Sequence, residues 1–215
     1  MSVELIRIAG DDLDVVNGFR KSLNRSHQEF TEADAGLIQR GMRDGHTEPS
    51  RHAWAKFGVE CSIGCARQFM THKRYLAISE HSTRYSEMQP EFVYPAMKRQ
   101  IGKAMDYQFE PMDDEEHANS FEDIRGAYED AYMIYQRLLK RGMCREDARS
   151  VLPLGLKTSL IVSGDLVAWL RFLSRRAHSH AQDEIREIAF EIEGHLAEAF
   201  PHSVAAWDAD GRRAL

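Results

Sequence analysis

From the N-terminus, Val3 to Ile8 alternates apolar with polar residues, the period-two signature of a strand with one covered face. Asp11-Asp12-Leu13 then has the short oxygen-bearing side chains that cap a helix. A three-to-four-residue apolar rhythm from Phe30 to Met42, stopped by Gly45, predicts a second helix. Alternation returns over Ala53 to Val59, with Trp54, Phe57 and Val59 as strand residues, and a short helix follows over Ser62 to Met70. Glu87 to Tyr94 leads into Pro95, and its Phe92-Val93-Tyr94 content predicts another strand. Ser120 and Asp123 have capping-box spacing ahead of Phe121, Ile124, Tyr128, Ala131, Tyr135 and Leu138, an amphipathic helix that ends near Gly142. Leu166, Trp169, Leu170 and Leu173 define a helix over Leu166 to Arg175. Ile185, Ala189, Ile192 and Leu196 form the inner face of a last long helix starting near His180.

These elements predict an α+β fold: a single compact domain over residues 1–215, with a small, mostly antiparallel sheet and several long helices. No repeat, low-complexity tract or Pro/Gly/Ser-rich linker suggests a second domain. No window approaches the roughly 18 consecutive apolar residues of a membrane span. Glu4 and Arg7 interrupt the stretch where a secretory peptide would be apolar, so the expected location is the cytoplasm. A formal charge of −6 argues against broad nucleic-acid binding, which needs a net attraction for phosphates, but leaves room for one anion held by converging arginines. Arginine outnumbers lysine 21 to 7, so rigid bidentate anion binders are plentiful. Three cysteines, Cys61, Cys65 and Cys144, are too few for a disulfide framework; the first two read as buried thiols in an apolar segment, and no metal is assigned.

Candidate chemistry concentrates in two places. Thr71 to Ser86 is a polar stretch read as a loop, with basic residues at one end, Ser82 and Arg84 at the other, and Glu80 between, a set able to bind an anion while orienting an attached polar ring. Arg171, Arg175, Arg176, His178, His180 and Gln182 form a second cluster, whose mutual repulsion an anion would relieve. His178 and His180 are two apart and would face different sides of a helix, a poor shared metal site. Asp113 to Glu116 reads as a solvated charged loop.

These residues resemble the flavin-dependent thymidylate synthases. That family has a basic triplet Arg-His-Arg, seven residues, a Ser, and then Arg-Tyr-Ser. Here His72-Lys73-Arg74 is followed by Ser82 and by Arg84-Tyr85-Ser86; counting from Gln68, the register Thr71-His72-Lys73 is also open. Gly45-His46-Thr47-Glu48-Pro49, Ala66-Arg67-Gln68, Ala148-Arg149-Ser150-Val151-Leu152-Pro153 and the block from Ser179 to Arg186 match further family elements in order. The resemblance implies a homotetramer with FAD and nucleotide at subunit interfaces. It assigns the uridylate to Gln68, Glu80, His81, Ser82, Thr83, Arg84 and Arg149, with Arg176 facing the uracil ring as the catalytic group. It assigns the flavin to His46, Glu48, His72, Lys73, Arg74, Ser79, Arg171 and His180, with Asp165, Leu166 and Val167 at the adenosine end. NADPH would be the reductant and methylenetetrahydrofolate the carbon donor. Asp165, Val167 and Ser79 depart from the usual residues of the family.

The activity this implies is methylation of carbon 5 of dUMP or UMP. The alternatives are a UMP-specific methylase or hydroxymethylase of nucleoside-antibiotic biosynthesis, and a catalytically inactive nucleotide-binding homologue. A histidine-based metal hydrolase is a third class, and activity in EDTA would exclude it.

Overall fold

The computed structural model describes residues 1–212, so 213–215, the end of the expected 1–215 domain, lie outside the described residues. The architecture is α+β, with eight helices and a small antiparallel sheet among the described residues. Packing divides the chain into two interleaved compact units. The first holds Met1, Glu60–Arg67 and Glu80–Ser159; the second holds Ser2–Val59, Gln68–Ser79 and the chain from Leu160 onward.

In the second unit, strand β1 (Ser2–Ala9) runs into helix α1 (Asp12–Lys21). The Asp11 carboxylate accepts from the N–H groups of Leu13 and Asp14, satisfying donors that a helix start leaves orphaned. Helix α2 (Glu32–Arg43) ends before Gly45, whose φ of +83° is the left-handed conformation that glycine adopts without a Cβ clash. Strand β2 (Trp54–Ser62) leads into α3 (Ile63–Met70), as the pattern predicts. Helix α6 (Leu166–Arg176) starts where the Asp165 carboxylate accepts from Ala168 N at 2.8 Å. Leu166 to Leu170, Phe172 and Leu173 are buried, far beyond a stripe, so α6 is the central helix of its unit. Trp169 meets Phe57 edge-on at 5.0 Å and donates to Ala55 O, and Phe172 stacks on Phe69 at 4.9 Å. Helices α7 (Asp183–Ala199) and α8 (Pro201–Ala209) close the described chain. Pro at the first position of α8 removes only an N–H that would be orphaned there anyway.

Two further strands, β3 (Ala77–Glu80) and β6 (Lys157–Asp165), complete a sheet of order β1-β2-β6-β3, made mostly by residues of the second unit. The stretch from Thr71 to Ser86, expected to be a loop throughout, therefore contains an edge strand. Strand β6 was not anticipated, although Thr158, Leu160, Val162 and Gly164 alternate inward along it.

In the first unit, β4 (Lys98–Ile101) and β5 (Gln108–Pro111) form an antiparallel hairpin pairing Lys98 with Pro111 and Ile101 with Gln108. Helix α4 (Asp114–Lys140) begins six residues before Ser120, the expected start. The charged run read as a loop is its cap and first turn: Asp113 accepts from Glu116 N, and Asp114, Glu115 and Glu116 sit where the helix dipole favours negative charge. The far end is as expected, with Gly142 at φ +86°. The strand expected over Glu87 to Tyr94 reduces to one bridge, Phe92 to Leu156, because Pro90 and Pro95 bracket it and cannot donate to a ladder. Its rings pack instead on α4, with Phe92 on Tyr128 and Tyr94 on Phe121 at 5.2 and 4.8 Å. Helix α5 (Arg145–Ala148) follows. Cys61 and Cys65 are buried thiols and Cys144 is exposed.

Candidate active site

In the second unit the predicted residues gather around one guanidinium. Arg176 lies in the last turn of α6, and the chain leaving α3 folds back under it because Thr71 and His72 N–H groups donate to Gln68 O and Phe69 O. Arg176 Nε donates to His72 Nε2 at 3.0 Å, and Nη1 donates to Gln68 Oε1 at 3.1 Å. Nη2 donates to Gln68 O at 3.3 Å and to Thr71 Oγ1 at 2.9 Å. Gln68 is itself held, its Nε2 donating to Gln182 Oε1 at 2.5 Å. A fork of fixed geometry engaged on both sides keeps its plane.

His72 is buried, 4% exposed, with its ring edge on Phe172 at 5.1 Å. Burial pushes its pKa down, to about 4, and the charges of Arg176 and Arg175 push the same way. The imidazole is therefore neutral at pH 7, and an Nε2 that accepts from Arg176 requires the ring proton on Nδ1. Lys73 and Arg74, next to it in the basic triplet, are exposed.

A cationic group surrounds Tyr75 in the same unit, where the Arg171 and Arg74 guanidiniums stand 4.8 and 5.8 Å from the centre of its ring. His178 and His180 meet edge to face at 4.9 Å, and the His180 backbone N–H donates to His178 Nδ1. His46, Glu48 and Ser79 are exposed. Asp165 is occupied as the α6 cap and by Arg51, 2.9 Å away, while Leu166 and Val167 are buried.

The first unit gathers the other predicted residues. Ser82 Oγ accepts from Arg84 N at 3.3 Å, and Ser86 Oγ donates to Ser82 O and lies 2.5 Å from His81 Nε2. Arg149 Nη1 donates to Thr83 Oγ1 at 2.8 Å, its Nε donates to Glu146 O, and Arg84 Nη2 donates to Glu146 Oε2 at 2.8 Å. Thr158 Oγ1 donates to Glu80 Oε1 at 3.3 Å. Arg84 and Glu146 line a cleft of about 620 Å³ that also carries Lys140 and Arg145.

Sequence reasoning passed over Glu146, Tyr75 and Thr158. Glu146 stands three residues before Arg149, a spacing that brings two side chains to one side of a helical turn, and that was the available signal. Tyr75 and Thr158 carry no charge pattern that would have marked them.

Residues 4–202 match the family model of the thymidylate synthase complementing protein. The flavin-dependent thymidylate synthase of Tropheryma whipplei (strain TW08/27) is 34% identical, over 99% of this chain and 94% of its own length. That of Streptomyces coelicolor is 33% identical, over 99% of this chain and 92% of its own. Among solved structures, the UMP/dUMP methylase PolB from Streptomyces cacaoi bound with 5-Br UMP has 34% identity and a TM-score of 0.89, covering 98% of this chain and 95% of that one. The same protein bound with 5-Br dUMP has a TM-score of 0.90 and 30% identity, covering 100% of this chain and 97% of that one. The fold, the ordered motifs and these likenesses agree: the chain belongs to the thymidylate synthase complementing protein family.

Proposed function

We propose that this chain is a flavin-dependent enzyme that methylates carbon 5 of a uridine monophosphate, dUMP or UMP, with FAD as cofactor, methylenetetrahydrofolate as carbon donor and NADPH as reductant. The observation that carries this reading is the likeness, over 98% of the chain at 34% identity, to a UMP/dUMP methylase solved with 5-Br UMP. The chain works as a homotetramer in this reading. Large apolar side chains left exposed on the protomer, such as Met133 and Phe190 at 54% and 50%, are consistent with burial in an assembly.

The residues present suit FAD by their chemistry. Two guanidiniums, Arg74 and Arg171, converge on Tyr75, and their repulsion falls when a diphosphate lies among them. Lys73, Arg74, Arg171 and His180, with His46, Glu48 and Ser79, would hold the cofactor. Asp165, Leu166 and Val167 would contribute backbone more than side chain, since the first is bonded and the others are buried. When bound and reduced, the flavin supplies the hydride that this chemistry requires.

The chain's own groups bind and orient the nucleotide. Ser82, Arg84 and Arg149 take the phosphate through charge-assisted hydrogen bonds, and Gln68, Glu80, His81 and Thr83 hold the rest of the nucleotide. Addition of carbon at position 5 of uracil needs electron density there, and Arg176 stabilises the negative charge that develops on the ring oxygen and N3. Its clamp by Gln68, Thr71 and His72 supports this role, because a donor positioned beforehand does not have to reorganise during the reaction.

The decisive experiment compares UMP and dUMP side by side with FAD, NADPH and methylenetetrahydrofolate, weighing each product by mass spectrometry. A gain of one methyl group on either nucleotide is the expected result. A gain of a hydroxymethyl group would redirect the chemistry, and no product from protein that takes up no FAD would overturn the reading.

A further inference from the structure

The resemblance gives His72 to the flavin-binding triplet, but its side chain is spent elsewhere. It is buried, its ring plane is set by the edge contact with Phe172, and its Nε2 accepts from Arg176 Nε at 3.0 Å. Its neighbours Thr71, Lys73 and Arg74 are exposed, so a ligand approaching this turn meets them first. Gln68 and Thr71 accept from the two Nη groups of Arg176, and His72 accepts from Nε. The three Nη contacts hold the ends of the fork, and the acceptor at Nε ties it at its base as well, so rotation about the Cδ–Nε bond would break all four.

The geometry points to His72 as a positioning residue for Arg176: a neutral imidazole, proton on Nδ1, that fixes the guanidinium plane for the uracil ring and takes no part in holding the flavin. This rests on the role given to Arg176 above. The charged groups that act on His72 are Arg176 and Arg175, both from α6, and both disfavour the imidazolium. A protonated ring would lose its acceptor and repel the group it holds, which makes neutrality a requirement of the arrangement.

The test uses the full-length holoenzyme and two variants. His72→Gln keeps a neutral acceptor of similar reach, and His72→Leu removes it at similar volume. His72→Leu is expected to lower kcat about 100-fold, the scale of a misplaced catalytic group. Its bound FAD per protomer should match wild type, and His72→Gln should recover most of the loss. Arg176→Ala combined with His72→Leu should be no slower than Arg176→Ala alone, because a positioning residue has nothing left to position. Loss of FAD from both variants with kcat per bound flavin unchanged would overturn the assignment, as would equal activity of His72→Leu and wild type. Should His72→Leu fail to fold, nitrogen NMR of the wild-type imidazole decides. An Nδ1–H tautomer at pH 7 supports the role and an Nε2–H tautomer refutes it. Wild-type protein that binds UMP or dUMP calorimetrically yet forms no product would defeat the proposed reaction. The NMR tautomer would still judge the His72 contact by itself.

Discussion

Arg84 donates through Nη2 to the Glu146 carboxylate at 2.8 Å, so a residue assigned to a nucleotide phosphate is already neutralised by the chain. Both partners are exposed, at 45% and 53%, so the pair is screened by solvent and a dianionic phosphate can displace the carboxylate. Glu146→Gln is accordingly expected to tighten nucleotide binding roughly two- to fivefold, with the effect shrinking as salt rises. Isothermal titration with UMP and dUMP at low and high ionic strength measures it; weaker binding would mean that Glu146 supports the nucleotide.

On the phosphate role proposed for Arg84, Arg84→Ala is expected to weaken nucleotide affinity roughly 10- to 100-fold while leaving FAD uptake intact. The same titration reads this out beside the flavin absorbance. An unaltered affinity contradicts the phosphate assignment.

On the role proposed for Arg176, a charge needed mainly as the ring becomes anionic, Arg176→Ala should act differently and lower turnover by about 10²- to 10³-fold. FAD content should stay at the wild-type level. Steady-state kinetics with saturating nucleotide separates this from a binding defect, and an unchanged kcat would remove Arg176 from the chemistry.

Acid sensitivity follows from two buried groups. Burial beside Arg176 and Arg175 lowers the His72 pKa to about 4 in the folded chain against 6.5 for a free imidazole, so the unfolded chain binds its proton first as pH falls. Stability from this residue is complete above about pH 6.5 and is lost toward pH 4, at up to about 1.4 kcal/mol per pH unit. Asp34 extends the loss: burial alone would raise its pKa, but hydrogen bonds from Thr31 and Arg20 outweigh that and hold it near 2 against 3.8. Its contribution is present above about pH 3.8 and disappears toward 2. Urea midpoints measured from pH 7 to 4 should decline in wild type and decline less in His72→Gln. Parallel curves would contradict the neutral, buried state of His72.

Asp12 ties the two ends of the described chain. Its carboxylate accepts from His202 N at 2.7 Å and from Ser203 N and Oγ at 3.0 and 2.5 Å, capping α8 from the first turn of α1. Asp12→Ala leaves these donors without their partner and is expected to cost about 2–3 kcal/mol of stability. Thermal unfolding read by circular dichroism checks it, and a midpoint equal to wild type would show that α8 is held by packing alone.

Elements with a strong local signal were legible from the residues. The strands at Val3 to Ile8 and Ala53 to Val59 and the helices α1, α2, α6 and α7 follow from periodicity and caps, which depend on neighbours a few positions away. The misassigned segments have local signals that long-range packing overrides. The acidic run that opens α4 resembles a loop until the helix dipole behind it makes the charges favourable, and Phe92 to Tyr94 resembles a strand although Pro90 and Pro95 limit its pairing to a single bridge.

The α+β class, the family, the abundance of arginine and the stopping points at Gly45 and Gly142 could be read from the residues alone. Composition, ordered motifs and backbone handedness are properties of residues taken singly or a few at a time. Tertiary structure alone decided what those side chains are committed to: Arg176 to Gln68, Thr71 and His72, Arg84 to Glu146, and Asp12 to α8. These pairs are up to 191 positions apart, and a hydrogen bond depends on distance in space, which spacing along the chain does not encode.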